Sequence, residues 1–268
     1  MATILKTLVR VTGAVAATCV VSAVGLIVFR AVMPLDELRA ASGDVGNYLQ
    51  TVGGIYAVLL AFVVYVVWGQ FNDARGFVDK EAAALVDLHR TASGLPTETR
   101  IAIQNGLVEY VNAVLRDEWR ALACGDAAAI ERVGEKLESI WDAIHRCRPT
   151  STCEHTIYGE VLSRFNELTD FRTSRLTAAT SRIPLAMKLL LYTGAVLMIA
   201  SMYLVGIGPL WLHLVVTTAL AGAVAHVLYL IRDLDAAFEG EAIPKAPFER
   251  AHRAFDRATY VLGHHEGL

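Results

Sequence analysis

VGGIYAVLLAFVVYVVW, residues 52–68, is the stretch that decides the architecture. It runs seventeen residues without a charge. A helix of that length rises about 26 Å at about 1.5 Å per residue, just short of a hydrocarbon core of about 30 Å. Tyr48, Leu49 and Trp68 extend it into the interfaces, where aromatic side chains are favoured. The pattern does not stop there. Phe71, Val78, Leu85 and Leu88 continue it at helical spacing to His89 and Arg90. One helix over 48–91 would be roughly 66 Å long. Gly94 and Pro96 end it.

Working outward, three more apolar runs appear. The first, 11–29, is nineteen residues without a charge, preceded by Lys6 and Arg10 and followed by Arg30. It is longer than the core of a secretory signal and lacks a small-residue cleavage site after it, so a retained span is expected. The third covers about 183–207, with Lys188 near its start able to snorkel to the headgroups. Gly208 and Pro209 form a tight turn into the fourth run, 210–231, broken only by His213 and His226. Apolar residues make up 54% of the 268-residue chain and charged residues 19%. The apolar surplus is concentrated in 9–67 and 183–231, while 69–182 has ordinary soluble composition. A net charge of −3 gives no reason to expect a nucleic-acid partner.

Four crossings put both termini on one side, and the distribution of Lys and Arg selects it. One side holds Lys6, Arg10, Arg75, Lys80, Arg172, Arg175, Arg182, Lys188 and Arg232. The other holds Arg30 and Arg39 beside Asp36, Glu37 and Asp44. The expectation is a multi-pass inner (plasma) membrane protein with cytoplasmic termini. Its parts are a membrane hairpin over 1–68, a cytoplasmic helical domain over 69–182, a second hairpin over 183–231 and a cytoplasmic tail over 232–268.

Within 69–182 apolar residues recur at three and four, never in a strand period. A helix from Thr97 carries Leu107, Tyr110, Val111, Val114, Trp119 and Leu122. Cys124-Gly125-Asp126 breaks it, with Asp126 as the next N-cap. A helix through Val133, Leu137 and Ile144 follows, then a polar loop over 146–152. A last helix from about Glu154 runs through Val161, Phe165 and Leu168 toward the membrane, kinked by Pro184. The fold class is all-α: four transmembrane helices with a helical bundle inserted between spans two and three.

No phosphate-binding loop, dinucleotide fingerprint or zinc-protease motif is present, so no enzyme and no cofactor are expected. His213 and His226 sit about 220° apart on a helix and cannot share a face. His145-x-Cys147 and Cys153-x-His155 mirror each other across a short loop. Four such ligands could hold zinc, but the spacing matches no common module, and cytoplasmic thiols stay reduced. Free thiols are the favoured reading of Cys147 and Cys153, with metal and disulfide as alternatives.

Span two carries two opposed rows. Gly53, Ala57 and Ala61 recur at four-residue steps, which suits close helix packing. Ile55, Leu59, Phe62 and Val66 form a bulky stripe on the other side. That stripe either faces lipid or lines a narrow dewetting neck in an oligomer.

Three segments carry a family likeness. GIYAVLLAF from Gly54 leads through Trp68, Phe71 and Ala74 to EAAAL from Glu81. Leu168-Thr169-Asp170 with Arg175 precedes SRIP at residues 181–184. Leu234-Asp235 is followed by Phe238-Glu239-Gly240 and Pro247-Phe248. In order and spacing these resemble the bacterial bestrophin-like domain proteins and, more distantly, the bestrophins. The resemblance implies pentameric anion channels with four spans per subunit, cytoplasmic termini and a neck on span two. It makes Ile55, Leu59, Phe62 and Val66 neck candidates, the chain a homo-oligomer in the lipid bilayer, and chloride the suggested ion. The chain departs from the bestrophins at their calcium clasp. Asp233, Asp235, Glu239 and Glu241 are not followed by an acidic run, and calcium needs six to eight oxygens, so calcium gating is not expected. The leading function is thus an oligomeric ion channel. The alternative is a membrane-anchored helical interaction or sensing protein without transport activity, supported by the long helices and the absence of charged pore-lining residues.

Overall fold

The computed structural model describes residues 2–239 and 242–265. Gly240 and Glu241, the latter among the acids weighed for a calcium clasp, lie outside the described residues. Among the described residues all regular structure is helical: α1 Ala2–Val32, α2 Leu35–Thr91, α3 Thr97–Ala113, α4 Trp119–Cys124, α5 Ala127–His145, α6 Thr152–Thr180, α7 Leu185–Tyr203, α8 Leu210–Asp235 and α9 Ala246–His265. Four helical stretches, in α1, α2, α7 and α8, are long and apolar enough to cross a membrane. The chain divides into two compact units, residues 1–69 with 182–236 and residues 70–181 with 237–268.

In the first unit α1 runs antiparallel to α8. Cys19 Sγ donates to the Thr218 carbonyl at 3.4 Å, and a Cβ on Gly222 would lie 3.2 Å from that sulfur. Glycine thus permits the approach, as small residues do between membrane helices. Span two packs through Tyr56, whose hydroxyl donates to the Leu191 carbonyl at 2.8 Å. A Cβ on Gly194 would sit 2.5 Å from the Tyr56 ring, so the ring occupies the space glycine leaves. The turn between α7 and α8 is fastened by Arg30, which donates to the carbonyls of Ile207 at 2.8 Å and Gly208 at 3.2 Å.

α2 is 57 residues long and starts at Leu35, earlier than the apolar pattern suggests. Pro34 precedes it, and Asp36 and Glu37 in the first turn complement the helix dipole. The expected kink at Pro184 is a full break instead. Ser181 and Pro184 are extended, with ψ of 122° and 143°, and separate α6 from α7. Proline pushes the preceding residue out of the helical region. The freed Ile183 N–H is taken by Asp235 Oδ1 at 2.7 Å.

The second unit holds the larger core, built on Leu85 and Leu88 of α2, Ile103, Leu107 and Tyr110 of α3, Ile140 and Ile144 of α5, and Val161 and Leu168 of α6. The helix expected through Leu122 is interrupted by a π turn, Val114–Glu118, between α3 and α4. Gly125 at φ 71° then closes α4, and Asp126 caps α5 by accepting from Ala129 N at 3.1 Å. Ser151 and Glu154 form a capping box that starts α6. Phe238, Phe248, Ala251 and Phe255 complete this core and are all buried in it. Trp119 lies edge-on to Phe248 at 5.9 Å, and His89 stacks on Phe255 at 4.5 Å.

Candidate functional site

The span-two part of α2 presents three faces. Tyr56, Val63 and Val67 are buried. At about 100° per residue they share one side of the helix, roughly a quarter turn from the bulky stripe. On that stripe Ile55 is 68% and Phe62 56% exposed, whereas Leu59 and Val66 are half-buried. Leu59 packs beside Tyr56 and Met198 in the small membrane cluster. Of the small row, Gly53 approaches Met198, where an added Cβ would lie 3.1 Å from its methyl. Ala57 and Ala61 are exposed on the single chain.

Below its apolar segment the same helix carries Glu81, fully buried in the second unit. Arg175 of α6 grips it with Nε on Oε2 at 2.6 Å and Nη2 on Oε1 at 3.2 Å. Arg175 Nη2 also reaches Glu118 Oε2 at 2.6 Å, and its guanidinium lies 5.5 Å over the Phe248 ring. Arg172 pairs with Glu118 Oε1 at 2.6 Å and donates to the Tyr110 hydroxyl at 2.9 Å. Tyr110 donates to Glu81 Oε1 at 2.5 Å. Two carboxylates thus meet two guanidiniums with no net charge. Burial pushes the Tyr110 phenol up, and the Glu81 carboxylate pushes it further, well above the usual tyrosine range. Burial opposes the Arg175 charge, but Glu81 and Glu118 outweigh it and hold its pKa well above the usual value. The cluster is a clamp, since each carboxylate is matched by a cation.

The sequence alone did not bring these five residues together: Arg172 and Arg175 read as flanking cations, Tyr110 as part of a helix face, Glu81 and Arg175 as carriers of the family likeness, and Glu118 was not singled out. The signal was available. Val161, Phe165, Leu168, Arg172, Arg175 and Ala179 are the buried positions of α6, at steps of four and three. Two arginines therefore occupy places where the period calls for apolar side chains. The residues that carried the family likeness also converge: Glu81 with Arg175 and Phe248, and Asp235 with the SRIP segment.

Other candidates do not converge. Cys147 is buried, Cys124 and Cys153 are exposed, and all four cysteines are free. Among the described residues no three His, Cys, Asp or Glu side chains form a metal-holding group. His213 is buried with Nε2 2.9 Å from the Met202 carbonyl, while His226 Nδ1 lies 3.0 Å from the Gly222 carbonyl of its own helix.

A sequence model of the bestrophin-like domain matches residues 16–243, most of the chain. The chain belongs to the bestrophin-like domain family. Solved structures agree in fold. A point variant of a bacterial bestrophin homolog from Klebsiella pneumoniae is similar at a TM-score of 0.71 and 18% identity, over 92% of this chain and 99% of that one. A second variant of the homolog gives 0.69 and 16% over 93% and 99%. The structure of that homolog phased on zinc gives 0.64 and 15% over 90% and 96%. A comparison with curated proteins finds no match. The bestrophin-like chain is therefore an all-helical, multi-pass membrane protein with four candidate spans.

Proposed function

We propose that this chain is one subunit of an oligomeric ion channel, with span two of α2 around the conduction axis and Ile55, Leu59, Phe62 and Val66 as its apolar neck. The observation that carries the reading is the exposure of Ile55 and Phe62 beside a face already packed within the subunit. Membership of the bestrophin-like family supports it, and by that likeness the oligomer is a pentamer and the ion an anion such as chloride. Gly53, Ala57 and Ala61 are the helix-packing row. The termini, the domain over 69–182 and the tail over 232–268 are cytoplasmic in this reading, because the Lys and Arg excess lies on that side.

A ring of large apolar side chains expels water and blocks ions until it widens or turns polar. Phe62→Ala and Phe62→Ser should both raise halide flux into liposomes, about tenfold for each 1.4 kcal/mol removed from the barrier. Leu59 also packs inside the subunit, so its truncation loosens the fold as well. Phe62 and Ile55 are the cleaner sites. Unchanged flux in Phe62→Ala and Ile55→Ala, with the oligomer intact on size exclusion, sinks the pore assignment. It would leave the non-conducting membrane-anchored interaction protein as the better reading.

A further inference from the structure

We propose that the ends of α7 and α8 form a binding site for the headgroup of an anionic phospholipid. A cavity of about 180 Å³ opens there. Its polar side is Lys188, Arg232 and Asp235, and its apolar side includes Leu191, Tyr192 and Leu228. Lys188 stands in the first turn of one span and Arg232 in the last turn of the other, which places both at headgroup level.

Asp235 is fully engaged. Its Oδ1 accepts from Ile183 N at 2.7 Å and its Oδ2 faces Lys188 Nζ at 2.8 Å. Arg182 closes the same corner by donating to the Asp235 main-chain carbonyl. Asp235 therefore fixes Lys188 without consuming it, since an ammonium has three donors and this side chain is 37% exposed. Arg232 is exposed and has no ion-pair partner among the described residues. Two cations against one carboxylate leave the lining with one positive charge.

The ligand class follows from the two halves together. A phosphodiester matches the cations. The glycerol and first acyl carbons match Leu191 and Leu228, and Tyr192, 50% exposed, borders the lipid-facing surface. A free phosphate would gain nothing from the apolar wall. A zwitterionic headgroup would bring its own cation against Arg232. Basic pockets between membrane helices hold anionic headgroups for the same reasons. The site requires the membrane unit but not ion conduction, so it stands or falls apart from the channel reading.

The test is native mass spectrometry of the purified full-length protein in non-ionic detergent, titrated with phosphatidylglycerol or with phosphatidylcholine of the same chains. Wild type should retain phosphatidylglycerol preferentially. Arg232→Gln should weaken that retention roughly fivefold and Arg232→Lys should restore most of it. Lys188→Gln leaves Asp235 unpaired, so the double variant Lys188→Gln/Asp235→Asn is the second probe and should also lose retention. Arg39→Gln, at the opposite ends of the spans, should change nothing. Equal retention of the two lipids, retention unchanged in Arg232→Gln, an equal loss in Arg39→Gln, or displacement of the lipid by millimolar inorganic phosphate would each overturn the site.

Discussion

Replacing Arg175 by methionine tests whether the buried clamp holds the helical unit together. Arg175, Glu81 and Glu118 are all 0% exposed. Methionine fills much of the arginine stem but supplies no donor. Glu81 then keeps only the Tyr110 hydroxyl at 2.5 Å, and Glu118 keeps only Arg172 at 2.6 Å. Two buried carboxylates face one cation, so a negative charge is stranded out of water. Breaking a buried pair from one side costs about 3–5 kcal/mol. The unit comprises residues 70–181 and 237–268, which in that size range translates to a fall in melting temperature of roughly 6–20 °C. Trp119, 5.9 Å from the Phe248 ring that Arg175 overlies, is a fluorescence reporter for thermal scanning of the purified protein.

Two companions make the experiment decisive. Arg164 pairs with Glu160 at 2.8 Å on the surface of α6, where an ion pair is worth about 0–1 kcal/mol, so Arg164→Met should melt close to wild type. Adding Glu81→Gln to Arg175→Met removes the stranded charge, so the double variant should melt above the sum of the two single losses. Arg175→Met melting like Arg164→Met, or strict additivity in the cycle, would refute the clamp.

His89 is buried against Phe255, and burial lowers its pKa below the usual 6.5. The unfolded chain therefore binds this proton first, so stability is complete above about pH 6.5 and falls as pH drops toward the folded pKa; pH-dependent melts should be flatter between pH 6.5 and 5.5 in His89→Gln. Gly206 meets the first turns of α2 so closely that a Cβ would lie 2.6 Å from the Arg39 main-chain nitrogen, and Gly206→Ala should lower the yield of folded membrane protein on size exclusion. Reporter fusions after Ala127 and at Leu268 should both read cytoplasmic, and a periplasmic signal at either would overturn the topology proposed above.

Which features a sequence shows depends on whether their cause is local. The four apolar stretches are visible because composition alone makes them. The start of α2 is not, because Leu35 to the first apolar run is polar and is set by Pro34 and two acids rather than by a hydrophobic period. The break after α6 depends on Asp235 accepting from Ile183, a partner 52 residues away. Glu118 is hidden for another reason. It stands four residues after Val114 on the buried face, and what makes a carboxylate tolerable there is Arg172 and Arg175, partners on a helix far away in sequence. The candidate pore helix illustrates the same limit. Spacing divides it into two opposed rows, but packing divides it into three faces, because Tyr56, Val63 and Val67 point between them. With that face occupied inside the subunit, Ala57, Ala61, Ile55 and Phe62 share the exposed arc. In the proposed oligomer, then, the small row is offered to a neighbouring subunit and the bulky stripe to the axis. The two rows should separate by phenotype: Ala61→Leu should lower the yield of oligomer, and Phe62→Ala should change flux while leaving the oligomer intact.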